Sequence, residues 1–297
     1  QLIVDGNPVS VGTVVLNGGC LDVDNGSICE YTTVRCTNGG FMRVGDAQMT
    51  STGSAYAYIR EGSTVLLDGG EFYSAFYVTQ PGYEPGFLTV NDGLLRLRFL
   101  AANALSSNIV FNGGVLRGAY AGNQNWSKNS DPGHITGRVE AGGARIDVPR
   151  ADASFGLTLT WPFVSAVATG KDGGLEKTGL GTLTLTKPAA FTGPCRVVEG
   201  RLAAKCTTAN EPAAGTGDIV LGGTELFFNG GVTVPACSQE GSTLSFANCA
   251  AVTLAGGTAL TLGAANAEDG SVLRRNGHGV LLVGPGENGK TLGQNSS

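Results

Sequence analysis

Residues 173–204 read GGLEKTGLGTLTLTKPAAFTGPCRVVEGRLAA, and the fold is decided there. The stretch predicts two short strands, Thr182–Thr186 and Arg196–Leu202. In the first, Leu183 and Leu185 share one face while Thr182, Thr184 and Thr186 share the other, the period of a half-buried strand. Small turn residues punctuate both strands. The stretch closes on Glu199-Gly-Arg-Leu202, a turn that returns to an apolar position. Nothing in it is arranged for chemistry. It reads as one rung of a repeating structure.

Outward from this rung, a glycine doublet followed by an apolar strand recurs. It stands at Asn17-Gly-Gly-Cys-Leu21, Asn38-Gly-Gly-Phe-Met42, Asp68-Gly-Gly-Glu-Phe72 and Asn112-Gly-Gly-Val-Leu116. Weaker echoes begin at Gly142, Asp172, Gly222 and Gly256. The underlying spacing is about 20 to 30 residues, the range of solenoid repeats. Gly-Gly permits positive φ, and a preceding Asn or Asp bonds the local backbone, so each doublet marks a sharp turn. Hairpins would explain the turns locally, but hairpin strands recur at about 8–12 residues, which is shorter than this period. The expected architecture is all-β, a right-handed parallel β-helix (solenoid). Residues 1–118 form its N-terminal coils, 119–137 a projecting loop or bridge, 138–283 further coils, and 284–297 a flexible tail.

Composition agrees. The chain has 297 residues and 48 glycines, more than twice the number that a usual share of roughly 7% would supply. Charged residues are 14% and hydrophobic residues 41%, which excludes a disordered chain. No stretch sustains a helical period. The net charge of -5 argues against a nucleic-acid partner, and no apolar run reaches the ~20 residues of a membrane-spanning helix. The opening on Gln1 fits a processed product or a segment cut from a longer chain.

The rung at 173–226 also resembles a known family. Leu175-Glu-Lys-Thr-Gly-Leu-Gly-Thr-Leu-Thr-Leu-Thr186, then Phe191-Thr-Gly193, then Val198-Glu-Gly-Arg-Leu202 are similar to the autotransporter-associated β-strand repeat, with Gly215–Leu226 like its lead into the next repeat. The resemblance implies a right-handed parallel β-helix, secreted or exposed on a bacterial cell surface. The chain departs from that family in two respects. No C-terminal membrane barrel follows the repeat, and seven cysteines stand where typical passengers carry almost none. A surface protein that does not translocate itself is therefore expected.

Chemistry is sparse. Asp22-Val-Asp24-Asn-Gly26 is the best acidic cluster but lacks the remaining ligands of a calcium loop, and no cysteine or histidine spacing suits zinc. No metal or cofactor is expected. His134 and His278 lie in turns without a local partner, and Arg96 and Arg98 share a strand face with Asp92 as the nearby countercharge. The aromatics Phe72, Tyr73, Phe76, Tyr77, Tyr83 and Phe87 surround the turn-rich Gln80–Gly86; they form either a ligand-contact loop or a cover for the core. Cys195 with Cys206 and Cys237 with Cys249 are candidate local disulfides of an exported protein, with buried thiols as the alternative. The functional expectation is a non-enzymatic extracellular or cell-surface rod that presents loops and, because the open ends of such a rod are unpaired strand edges, assembles with copies of itself, end to end into filaments or laterally. An adhesin binding surface glycans or host proteins through the aromatic loop, and a polysaccharide-active β-helix enzyme, are the alternatives.

Overall fold

The structure, a computed structural model, describes residues 2–5, 12–23, 27–30, 32–44, 57–60, 64–79, 85–102, 106–118, 123–125, 134–149, 156–205, 212–229, 236–240, 242–255, 259–263 and 272–285. Among these the protein is all-β, and every strand pairing is parallel. Each strand pairs with a strand one repeat further along the chain. The offset runs from 19 residues, Thr182 opposite Arg201, to 33, Asn123 opposite Gly156. Successive strands fall into three columns.

Column two is the longest continuous one. It begins at Cys20–Val23 and Phe41–Val44 and passes through the middles of the long strands Thr64–Thr79 and Phe87–Ala102. It continues through Val115–Gly118, Ala144–Asp147, Leu175–Thr178 and Cys195–Val197. Ile219–Leu221, Leu244–Phe246 and Leu273–Arg275 complete it. Column one runs beside it from Gly12–Asn17 and Thr32–Thr37 to Phe163–Ser165 and Ala189–Ala190. Column three begins with Leu2–Asp5, Ser27–Glu30 and Ala57–Arg60. It is represented later by the series from Asn123–Asn125 through Thr182–Leu185 and Arg201–Lys205 to Val280–Pro285.

The alternation seen in the sequence produces the core. In column two Ala144, Leu175, Cys195, Ile219 and Leu244 lie in register and are all buried; in column three Leu157, Leu183, Leu202, Leu226 and Val252 do the same. Full burial of one such aliphatic side chain contributes about 1.5–3 kcal/mol, so the ladders supply the stack's main cohesion. Ion pairs on the outer face join neighbouring rungs: Arg117 Nε to Asp147 Oδ2 at 2.6 Å, Arg96 Nε to Glu71 Oε1 at 3.0 Å, and Arg201 Nε to Glu225 Oε2 at 3.2 Å.

The corners explain the glycines. At Gly93, φ is +99° and an added Cβ would lie 2.1 Å from the Gly70 carbonyl oxygen of the adjacent rung; at Gly174, φ is +73° and the Gly193-Pro194 backbone closes the same space. Gly18, Gly39, Gly69, Gly113 and Gly143 serve this corner, between columns one and two, whereas Gly222 and Gly223 precede a column-three strand. The doublets thus mark two different corners rather than one series. The long step between Gly69 and Gly113 holds an additional rung, which turns at Gly93.

Several expectations change. Arg196–Leu202 is not one strand: Cys195–Val197 and Arg201–Lys205 belong to different columns, separated by a corner where Gly200 has φ +68°. The chain from Thr64 to Thr79 is continuous strand, so Phe72, Tyr73, Phe76 and Tyr77 lie on a strand rather than a loop. The stretch 119–137 contributes Asn123–Asn125 and the start of Ile135–Val139, and column two pairs straight across it, Val115–Gly118 against Ala144–Asp147. Of the expected tail, Gly284 and Pro285 finish a strand and the rest lies outside the described residues.

Candidate functional site

Polar side chains of the described core gather at the corners. Asp172, 4% exposed, accepts from the backbone N–H of Gly174 (2.8 Å), Gly193 (2.8 Å) and Thr192 (2.7 Å) and from the Thr192 hydroxyl (3.0 Å). Burial pushes its carboxyl up, but the donors of Thr192, Ser165, Gly193 and Gly174 outweigh that and hold it below the usual carboxylate value. Two rungs on, Asp218 repeats the device, accepting from the Thr243 N–H and hydroxyl. Earlier rungs use asparagine: Asn38 donates to Asn17 at 2.8 Å, and Asn112 donates to Asn91 at 3.1 Å while accepting from Gly142 N–H. Asn38, Asn112 and Asp172 therefore bond the neighbouring rung, and Asp172 bonds its own turn as well.

Lys177 is the other buried polar centre. It occupies the inward ladder of column two, between Ile146 and Val197, and is 0% exposed. Its ammonium donates to the carbonyl oxygens of Thr178 (2.7 Å), Gly179 and Glu199 (3.0 Å), while Glu199 Oε2 accepts from Gly179 N–H. Burial pushes the ammonium down to about 8, against the opposing pull of the Asp147 and Glu199 carboxylates. Three carbonyls use its three donors, so the group ties a corner together rather than offering a free amine. The sequence carried a signal for it: Lys177 shares the inward parity of Leu175.

Of the expected ligand-contact residues, the structure describes the side chains of Phe72 and Phe87. Phe72 is 1% exposed and belongs to the core, because its strand position faces Met42 and Leu95 in the ladder. Phe87 is exposed. Only the strand backbone of Tyr73, Phe76 and Tyr77 is described, and Tyr83 lies outside the described residues. Arg96 pairs with Glu71 rather than Asp92, whose carboxylate instead accepts from Gly93 N–H. Asp22 is described in its strand backbone alone, and Asp24 lies outside the described residues. His134 is half-buried and His278 exposed. Among the described residues, no group of three His, Cys, Asp or Glu is placed to hold a metal ion.

Cys195 is a free thiol, wholly buried between Leu175 and Ile219, and burial pushes it up to about 12. An inward ladder position explains this, because there it packs as a small apolar residue. Cys249 is free and exposed. Their expected partners are outside the described residues (Cys206) or described only in strand backbone (Cys237).

Among the described residues, four exposed apolar side chains lie on the last two strands of the stack. Leu273 is 54% exposed, and on the last described strand Val280, Leu282 and Val283 are 55%, 55% and 51% exposed. Comparison with family models, with curated proteins and with solved structures finds no match to this chain.

Proposed function

We propose that this chain is a non-enzymatic structural protein of the extracellular space or the bacterial cell surface, wound as a right-handed parallel β-helix into a stiff rod. The uninterrupted parallel pairing of column two, from Cys20–Val23 to Leu273–Arg275, carries this reading. Right-handedness follows the general preference of parallel crossovers, and the autotransporter-like rung at 173–226 points the same way. On the order of ten levels at about 4.8 Å make a stack roughly 50 Å tall. Such a stack satisfies its backbone internally, presents its turns to the surroundings and associates with further copies of itself. The saturation of Lys177 and Asp172 by backbone partners supports a structural rather than catalytic use of the buried charges.

Native protein incubated with neutral and acidic polysaccharides is expected to release no reducing ends or unsaturated products, and to resist trypsin. Product above the blank would overturn the structural reading in favour of a β-helical lyase or hydrolase. Rapid cleavage inside the strands would overturn the rod.

A further inference from the structure

In columns two and three an inward ladder stays buried up to the last described rung. In column two the exposure of Leu175, Cys195, Ile219 and Leu244 is 1%, 0%, 0% and 2%, and then Leu273, next in register, is 54% exposed. In column three Leu226 and Val252 are 0% and 3% exposed, and Val283, which follows Val252, is 51% exposed. The opposite end repeats this. Val14, Leu16 and Leu21 are only partly buried against the core, whereas their register partners Val34, Cys36 and Met42 are 1%, 0% and 1% exposed. At both ends of the described stack, core positions are therefore more exposed than their register partners one rung further in.

We infer that the C-terminal end, with Leu273, Leu281 and Val283, docks the N-terminal end, with Val14, Leu16 and Leu21, of a second copy. Three observations favour a second copy as the occupant. The ladders on both faces are aliphatic and continue one another in kind. Charge is complementary: residues 272–285 contain Arg274 and Arg275 and no carboxylate, while residues 1–30 contain Asp5, Asp22, Asp24 and Glu30 and no Lys or Arg. The chain's own residues 286–297, GENGKTLGQNSS, offer one aliphatic side chain, Leu292, too little to replace a rung. Among the described residues Val280–Pro285 pairs on one edge only, with Cys249–Leu254, so its other edge is available for strand addition. Joining unlike ends leaves a free end of each kind, so the contact propagates into open filaments instead of closing a dimer.

This inference rests on the rod reading, and its test separates the two. Sedimentation velocity of the full chain over a range of concentrations is expected to show a ladder of oligomers. Leu273→Glu with Val283→Glu should raise the concentration needed for association at least tenfold, while circular dichroism and trypsin resistance stay those of the wild type. Both substituted positions are already exposed, so the fold should tolerate them. The double variant keeps an intact N-terminal end. Added to wild type at equal concentration, it should terminate filaments and shorten their mean length about two-fold. A wild-type protein that stays monomeric yet trypsin-resistant overturns the docking and leaves the rod. Association unaffected by the double variant also overturns it. A wild type that becomes associating only when residues 286–297 are removed would make that segment the occupant and overturn the second copy.

Discussion

Lys177 places a charge where the ladder calls for an aliphatic residue, and the consequence can be read from pH. Its ammonium titrates near 8 in the fold against 10.5 when free, so between these values the unfolded chain binds more protons. By linkage, stability rises with pH across that window, and below it the full penalty of roughly 3 kcal/mol is present. Equilibrium denaturation from pH 7 to 10.5 is expected to show this rise in the wild type and not in Lys177→Met. At pH 7 the substitution should still destabilise by about 1–3 kcal/mol, because the carbonyls of Thr178, Gly179 and Glu199 lose their donor. Thiols give a second reading at this scale. Cys20 and Cys249 should label with iodoacetamide in the native protein, and Cys36 and Cys195 only after unfolding without reductant, as peptide mass mapping would show. Failure of Cys195 to label until reductant is added would instead place it in a disulfide.

At the scale of elements, Asp172 ties the corner between columns one and two by accepting from Gly174, Thr192 and Gly193. Its folded-state value is depressed, so its contribution is present above the free value of 3.8 and is lost as pH falls through the folded one. Asp172→Asn replaces one carboxylate oxygen by an NH2 group, which then faces either the Thr192 N–H or the N–H groups of Gly174 and Gly193, themselves donors. Chemical denaturation at pH 7 should register a loss of about 1–3 kcal/mol, and the variant's stability should fall less steeply than the wild type's below pH 4. The alternation of Leu183 and Leu185 with threonines was enough to read the strands, and the glycine doublets were enough to read the repeat, because both follow from local geometry. The corner at Val198–Gly200 was legible as a turn at Glu199–Leu202 but not as a change of column, since Arg196 to Leu202 alternates well enough for one strand and the close approach of Gly200 to Gly179 and Gly181 is set by stacking. Phe72 was ambiguous for a related reason. An aromatic beside a turn-rich stretch has the same local signature whether its partner is solvent or the Met42 of another rung. The open ends were legible only as unpaired edges, because which ladder residues lose their cover depends on register.

For the molecule as a whole, cohesion is between neighbouring levels, and this makes whole-turn edits tolerable. Leu244 stands in register with Ile219, so removing residues 219–243 brings Leu244 into the place of Ile219 against Cys195. The shortened protein is expected to unfold cooperatively in a thermal melt and to lose about 4.8 Å of height. Removal of 219–231, about half a turn, would bring residues of the wrong column into the ladder, and aggregation or loss of the melting transition should result.

The unequal offsets between rungs carry one more consequence. A chain held at both ends and stretched would come apart from its exposed levels inward, because the strand pairing of the described residues joins each turn to its immediate neighbours. Each rupture would release one winding of 19 to 33 residues, about 65–115 Å of extended polypeptide. A pulling trace would therefore be an irregular sawtooth, in which the distance between force peaks spells out the order of long and short windings.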